Sequence, residues 1–168
     1  MRPAFALMLA LMLTLGGCAS TAPPRPTVAA TPATADQRTA QAETLAIERR
    51  WLDTWFRGTP VLIAQRDDGA LVVEVPREFC FDAGRSSVKP ALAAVLDKVA
   101  ESLRRRPAAR LALLAAPADA AGGSALALQR AAQVQRHLRD RGVVAARLAE
   151  PTATSAAAVQ LRIGMAQP

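Results

Sequence analysis

Between Ser86 and Arg141 the chain writes two helices around one short strand, and that order constrains the fold more than any other feature. Leu92, Val95, Leu96, Val99 and Leu103 recur at helical spacing and trace one apolar stripe. Ser86 or Ser87 is expected to cap this helix, with Pro90 in its first turn. Arg104, Arg105 and Arg106 are expected as its solvated end, where positive charge suits the carbonyl end of the dipole. Arg110 to Ala116 reads as a buried strand, and Ala125 to Arg141 as a second helix stopped at Gly142. Upstream, Val61–Gln65 and Leu71–Val75 flank Arg66-Asp67-Asp68-Gly69-Ala70 as strand, turn and strand, and Phe79 to Asp82 is expected to continue in extended form after Pro76. A last strand covers Val159 to Ile163. Helices with one apolar stripe must bury it on a sheet. The expected architecture is therefore an α+β sandwich, βαβαβ after an opening hairpin, with both helices on one face of a mixed sheet and right-handed parallel crossovers.

The N-terminal third is organised differently. Arg2 precedes an almost unbroken apolar run from Ala4 to Leu15, which has the shape of a secretory leader. It is too short for a membrane span, which needs roughly 20 residues. Leu15-Gly16-Gly17-Cys18 follows and resembles the lipobox of bacterial lipoproteins. Small residues let an extended backbone lie close in a peptidase cleft, and a thiol at that point can form a thioether with a diacylglyceryl group. The resemblance implies a leader over residues 1–17 and a lipid-bearing Cys18. More than one acyl chain makes such an anchor long-lived. Ala19 stands where an aspartate resembles the inner-membrane retention signal, so the outer membrane, on its periplasmic side, is the expected address. Residues 18–35 are Pro-, Thr- and Ala-rich and read as a tether with a reach on the order of 50 Å. Residues 36–58 read as an amphipathic helix, with Asp36 as its cap and Leu45, Glu48, Leu52 and Trp55 or Phe56 on successive turns. Residues 59–168 form the main domain.

Removing residues 1–17 leaves 151 residues, enough for one core. The formal charge is +7, or +6 once Arg2 leaves with the leader. Arginine outnumbers lysine 19 to 2, a bias that coding preference explains as readily as binding does. Aromatic residues make up 4% of the chain and tyrosine is absent, so basic and stacking side chains do not alternate as they do for nucleic acid. A basic exterior outside the cytoplasm suits anionic glycopeptide or lipid headgroups. Cys80, between Phe79 and Phe81, is expected as a small packing residue. His137 is the only histidine and is expected on the surface, and no cysteine or carboxylate cluster has metal-ligand spacing. Neither an enzyme nor a cofactor other than the lipid is expected.

Phe79-x-Phe81-Asp82-x-Gly84, followed by Val88-x-Pro90 opening a helix, resembles the phenylalanine-rich segment and helix start of the OmpA-like peptidoglycan-binding domain. Asp119-x-x-Gly122, Leu126-Ala127-Leu128-Gln129-Arg130-Ala131-x-x-Val134 and Gly142-Val143 are similar to that family's "TDxxG", "LSxxRAxxV" and "GV". The likeness covers roughly residues 60–163. It implies noncovalent binding of the cell-wall stem peptide. In the family an aspartate and an arginine grip the free ends of diaminopimelate: an anion for the ammonium and a guanidinium fork for the carboxylate. Residue by residue, Arg130 matches the arginine and Asp119 the aspartate.

In the alternative alignment Ala115-Ala116-Pro117-Ala118 replaces the family's "GHTD" and an alanine takes the acidic position, and the segment from Asp119 to Arg130 is shorter than the family's pattern. A domain that kept the fold without the pocket would be a scaffold or assembly lipoprotein, docking an envelope protein through the Trp51–Phe56 helix or its basic surface. For Arg130 the plain structural reading is a surface arginine paired with Asp119 or with neighbours on its helix. For Asp119 it is a turn former beside Gly122-Gly123, with Ser124 capping the helix.

Overall fold

The computed structural model describes residues 34–166. The leader, Cys18 and the tether up to residue 33 lie outside the described residues. Helix α1 (Ala35–Phe56) opens with a capping box: the Thr34 hydroxyl accepts the Gln37 amide hydrogen, and the Gln37 side chain accepts that of Thr34. Thr34 is thus the cap, not Asp36. The reciprocal pair satisfies two orphan amides, which Asp36, one residue inside the helix, is not placed to do.

Strands β1 (Leu62–Gln65) and β2 (Leu71–Pro76) form the hairpin, followed by a 3-10 turn over Arg77–Phe79. Helix α2 (Pro90–Arg105), strand β3 (Ala109–Pro117), helix α3 (Gly123–Asp140), and strands β4 (Pro151–Thr154) and β5 (Ala158–Met165) complete the chain. The sheet order is β1-β2-β5-β3-β4, with β3 and β4 parallel and the other pairs antiparallel. The α+β sandwich expected from the sequence is present. Its last step differs, because α3 leads to the short parallel strand β4, and β5 then inserts antiparallel between β2 and β3.

The register explains the core. Leu71, Val73 and Val75 of β2 stand opposite Ile163, Leu161 and Val159 of β5, all buried on one face. A bulge between Leu111 and Leu113 shifts the alternation of β3, so that Leu111 and Leu114 both turn inward. The stripe of α2, together with Ala131, Val134 and Leu138 of α3 and Leu45 and Leu52 of α1, closes on that face. Burial of each leucine contributes about 1.5–3 kcal/mol. At the far end of α3, Gly142 takes φ +86°, and the Val143 amide returns to the Leu138 carbonyl, the stop its position predicted.

Two segments depart from their expected form. Phe79 to Asp82 is not extended: the Cys80 amide turns back to the Arg77 carbonyl, which buries Cys80 and Phe81 and leaves Phe79 39% exposed. Cys80 is the small packing residue expected, and burial pushes its thiol up to about 12. The N-cap residues of α2 and α3 are Lys89 and Gly122, neither making a side-chain cap, so none of Ser86, Ser87 and Ser124 serves as one.

The arginine run at the C-terminal end of α2 is a structural clasp. Glu48 of α1 is 2% exposed and accepts hydrogen bonds from Ser102 Oγ at 2.8 Å, Arg105 Nη2 at 2.8 Å and Arg106 Nε at 2.9 Å. Arg105 also lies 3.6 Å from the centre of the Trp51 ring, and Lys98 lies 3.7 Å from that of Trp55. Arg104 donates to the Arg141 carbonyl at the end of α3. Burial pushes the Glu48 carboxyl up, but the bonds from Arg105, Ser102 and Arg106 outweigh it and hold the group below its usual value. A lowered folded-state value stabilises the fold above the unfolded value, about 4.3, and that stability is lost as pH falls through the folded value. Glu48→Ala is expected to destabilise the domain by about 1–3 kcal/mol in urea unfolding at neutral pH, with a shallower acid loss than the wild type.

His137 is not simply a surface group. Its side chain is 20% exposed, and its Nε2 lies 2.6 Å from Asp97 Oδ1 on α2, where Arg141 also forks onto Asp97. Hydrogen bonds from Arg141, against a smaller opposing effect of burial, and then from His137 hold Asp97 below the usual carboxylate range. This cluster pins α2 to α3.

Candidate binding site

The site lies where β3 runs out. Past Pro117 the chain turns through Asp119, whose carbonyl accepts the Gly122 amide hydrogen, and enters α3. Two turns into that helix Arg130 points from the buried face, beside Ala127, Ala131 and Val134, back beneath the loop. The Asp82–Arg85 turn approaches from the other side, with Gly84 at φ +68°.

Arg130 is fully buried, and all five of its N–H groups are engaged. Nε donates to the Arg85 carbonyl at 2.8 Å. Nη1 donates to the Pro117 carbonyl and to Asp119 Oδ1, both at 3.0 Å. Nη2 donates to the Asp82 carbonyl at 3.1 Å and to Asp119 Oδ2 at 2.8 Å. The guanidinium carbon stands 4.8 Å from the centre of the Phe81 ring. Arg130 is therefore not a surface arginine. Its fork joins three chain segments and orients one carboxylate.

That carboxylate is Asp119, 26% exposed at its side chain. Its Oδ2 also accepts the Gly84 amide hydrogen at 2.7 Å, and the Arg77 Nε lies 3.9 Å from its Oδ1. The hydrogen bonds from Arg130 and then from the Gly84 amide hold it below the ordinary carboxylate range, burial opposing weakly and the charges of Arg130 and Arg77 adding to the effect. The result is an ionised carboxylate, rigidly aimed, with one face open to solvent.

Asp119 and Arg130 are thus brought together, although the loop between them is short. The pair is closed rather than open. The family resemblance implied a guanidinium fork free for a ligand carboxylate, whereas Arg130 has no N–H left. Two participants were not foreseen: Gly84, whose left-handed conformation aims its amide, and Arg77. Gly84 stood in the phenylalanine-rich motif, but a backbone role leaves no trace in side-chain chemistry. Arg77 carried no pattern at all.

The cluster of large apolar residues on α1 divides. Leu52 is buried in the core, whereas Trp55 is 54% exposed beside an apolar groove that also includes Phe56, Val61 and Phe79. Among the described residues no group of three His, Cys, Asp or Glu side chains is placed to hold a metal ion, and no helix is long and apolar enough to cross a membrane.

The fold is an α+β sandwich that several solved structures share. It superposes on a MotB-like protein from Desulfovibrio vulgaris with a TM-score of 0.60 at 16% identity, over 77% of this chain and 97% of that one. The periplasmic domain of Helicobacter pylori MotB matches with a TM-score of 0.54 at 15% identity, over 65% of this chain and 82% of that one. The cell wall anchor of the T6SS from Pseudomonas aeruginosa matches with a TM-score of 0.51 at 17% identity, over 77% of this chain and 99% of that one. At these identities the likeness is one of fold. No family model matches the chain, and no curated protein matches it in sequence.

Proposed function

We propose that this chain is an outer-membrane lipoprotein whose domain binds peptidoglycan noncovalently, joining membrane to wall through a tether that starts at a lipid-bearing Cys18. The observation that carries the wall-binding half is the presentation of Asp119. A buried arginine gives two N–H donors to one ionised carboxylate and its other three to the backbone around it, holding that carboxylate at the surface, where it can receive the ammonium of a free amino-acid end such as that of diaminopimelate. A charge-assisted hydrogen bond of this kind contributes about 1.5–3 kcal/mol. Arg130 acts from behind Asp119 as a positioning residue.

Co-sedimentation with purified sacculi tests this half. The wild-type mature protein is expected in the pellet, and Asp119→Asn, which keeps the shape and loses the charge, in the supernatant. Retention of the wild type is expected to stay constant from about pH 8 to about pH 5, because Asp119 titrates below the ordinary carboxylate value of about 3.9. Asn and wild-type proteins pelleting alike would refute the assignment. For the anchor, Cys18→Ser is expected to abolish labelling by a fatty-acid probe and to move the protein from the membrane to the soluble fraction. A labelled Ser variant would place the lipid elsewhere.

A further inference from the structure

An amino-acid end is a zwitterion, so an anion alone recognises half of it. Arg130 has no donor left for the carboxylate half. A second charged group beside Asp119 is Arg77, in the 3-10 turn after β2. Its side chain is 42% exposed, and its Nε is 3.9 Å from Asp119 Oδ1, too far for a hydrogen bond and close enough for both to face one small ligand. Among the described residues its one side-chain hydrogen bond runs from Nη1 to the Ala118 carbonyl at 3.1 Å, which fixes the guanidinium against the Asp119 loop and leaves Nε and Nη2 uncommitted. Its backbone amide donates to the Ala157 carbonyl at 3.0 Å, so the arginine springs from the end of the sheet rather than from a free loop. Lys89, the neighbouring cation, is spent differently: its Nζ donates to the Glu78 carbonyl at 3.0 Å and lies 3.6 Å from Asp82 Oδ1.

We infer that Arg77 receives the carboxylate of the same amino-acid centre whose ammonium rests on Asp119. This rests on the wall-binding reading above and gives it a specificity: the site takes a free α-amino acid end, with ammonium and carboxylate on one carbon, and rejects one whose carboxylate is missing or amidated. Arg77 and Asp119 then form the recognising pair, and Arg130 is the support of that pair.

The test titrates the mature protein carrying Cys18→Ser with meso-diaminopimelate, and separately with cadaverine, the same diamine without carboxylates. Chemical shifts follow binding, and thermal melts confirm that each variant is folded. The wild type is expected to prefer diaminopimelate. Arg77→Ala is expected to weaken diaminopimelate about tenfold or more while leaving cadaverine unchanged, and Arg77→Lys to recover part of the preference. A role in folding alone would weaken both ligands together. If Arg77→Ala binds diaminopimelate as the wild type does while Asp119→Asn loses it, the carboxylate is received elsewhere and the inference falls with the wall-binding reading intact. If the wild type binds neither ligand, or Asp119→Asn binds diaminopimelate unchanged, the reading beneath it falls as well.

Discussion

Replacing Arg130 by alanine is expected to cost the domain about 3–5 kcal/mol of folding stability, a large share of the roughly 5–15 kcal/mol that holds a domain of this size. The loss has named sources. The Pro117, Asp82 and Arg85 carbonyls each lose their donor, and the space left between α3 and the loops loses its packing against Phe81. Because the fork ties β3, the Asp82–Arg85 turn and α3 together, the Asp119 loop is expected to loosen with the fold, and wall binding to disappear with it. Arg130→Lys keeps the charge but can satisfy three of the five bonds at most, so it is expected to fall between wild type and alanine. Urea unfolding checks the ranking. A surface arginine, worth about 0–1 kcal/mol, would leave all three proteins alike.

A chain that begins at Thr59 is expected not to fold stably. It lacks α1, and with it Leu45 and Leu52, which are buried in the common core, and Glu48, which clasps the end of α2. Removing a buried leucine side chain costs about 2–5 kcal/mol, so losing two, together with the polar clasp, takes most of the stability such a domain has. The point variant Leu52→Ala isolates one of them and is expected to cost that amount in urea unfolding. A chain from Thr59 that unfolds cooperatively at the midpoint of the longer protein would show α1 to be an appendage. A pull applied through the residues before Thr34 would act on a helix that is part of the domain.

How much of this was legible in the sequence depended on whether a signal lay in side-chain periodicity. The stripe of α2, the alternation of β2 and the glycine stop at Gly142 are patterns of side chains, and they specify their elements directly. Strand β4 has no such pattern: Pro151-Thr152-Ala153-Thr154 is an edge of four residues, held by backbone pairing to β3 and by the Thr152 hydroxyl on the Leu114 carbonyl. Phe79 and Phe81 alternate as strand residues do, yet Pro76 closes the pairing of β2 and the chain coils. Glu48 was visible as a charge inside the stripe of Leu45 and Leu52, and its partners were the arginines that the sequence assigned to solvent. In the site, Asp119 and Arg130 were legible because a motif carries them. Arg77 and Gly84 were not, because one acts by its position at a sheet end and the other by an amide.

The most direct measurement of the site follows the backbone amide resonance of Gly84 while the mature protein is titrated with meso-diaminopimelate. That amide donates to Asp119 Oδ2, so an ammonium arriving at the carboxylate must change it. A saturable shift in the wild type that vanishes in Asp119→Asn is the expected result. A Gly84 resonance that stays still while the protein is retained by sacculi would place the wall contact elsewhere on the domain and contradict a ligand-receiving role for Asp119.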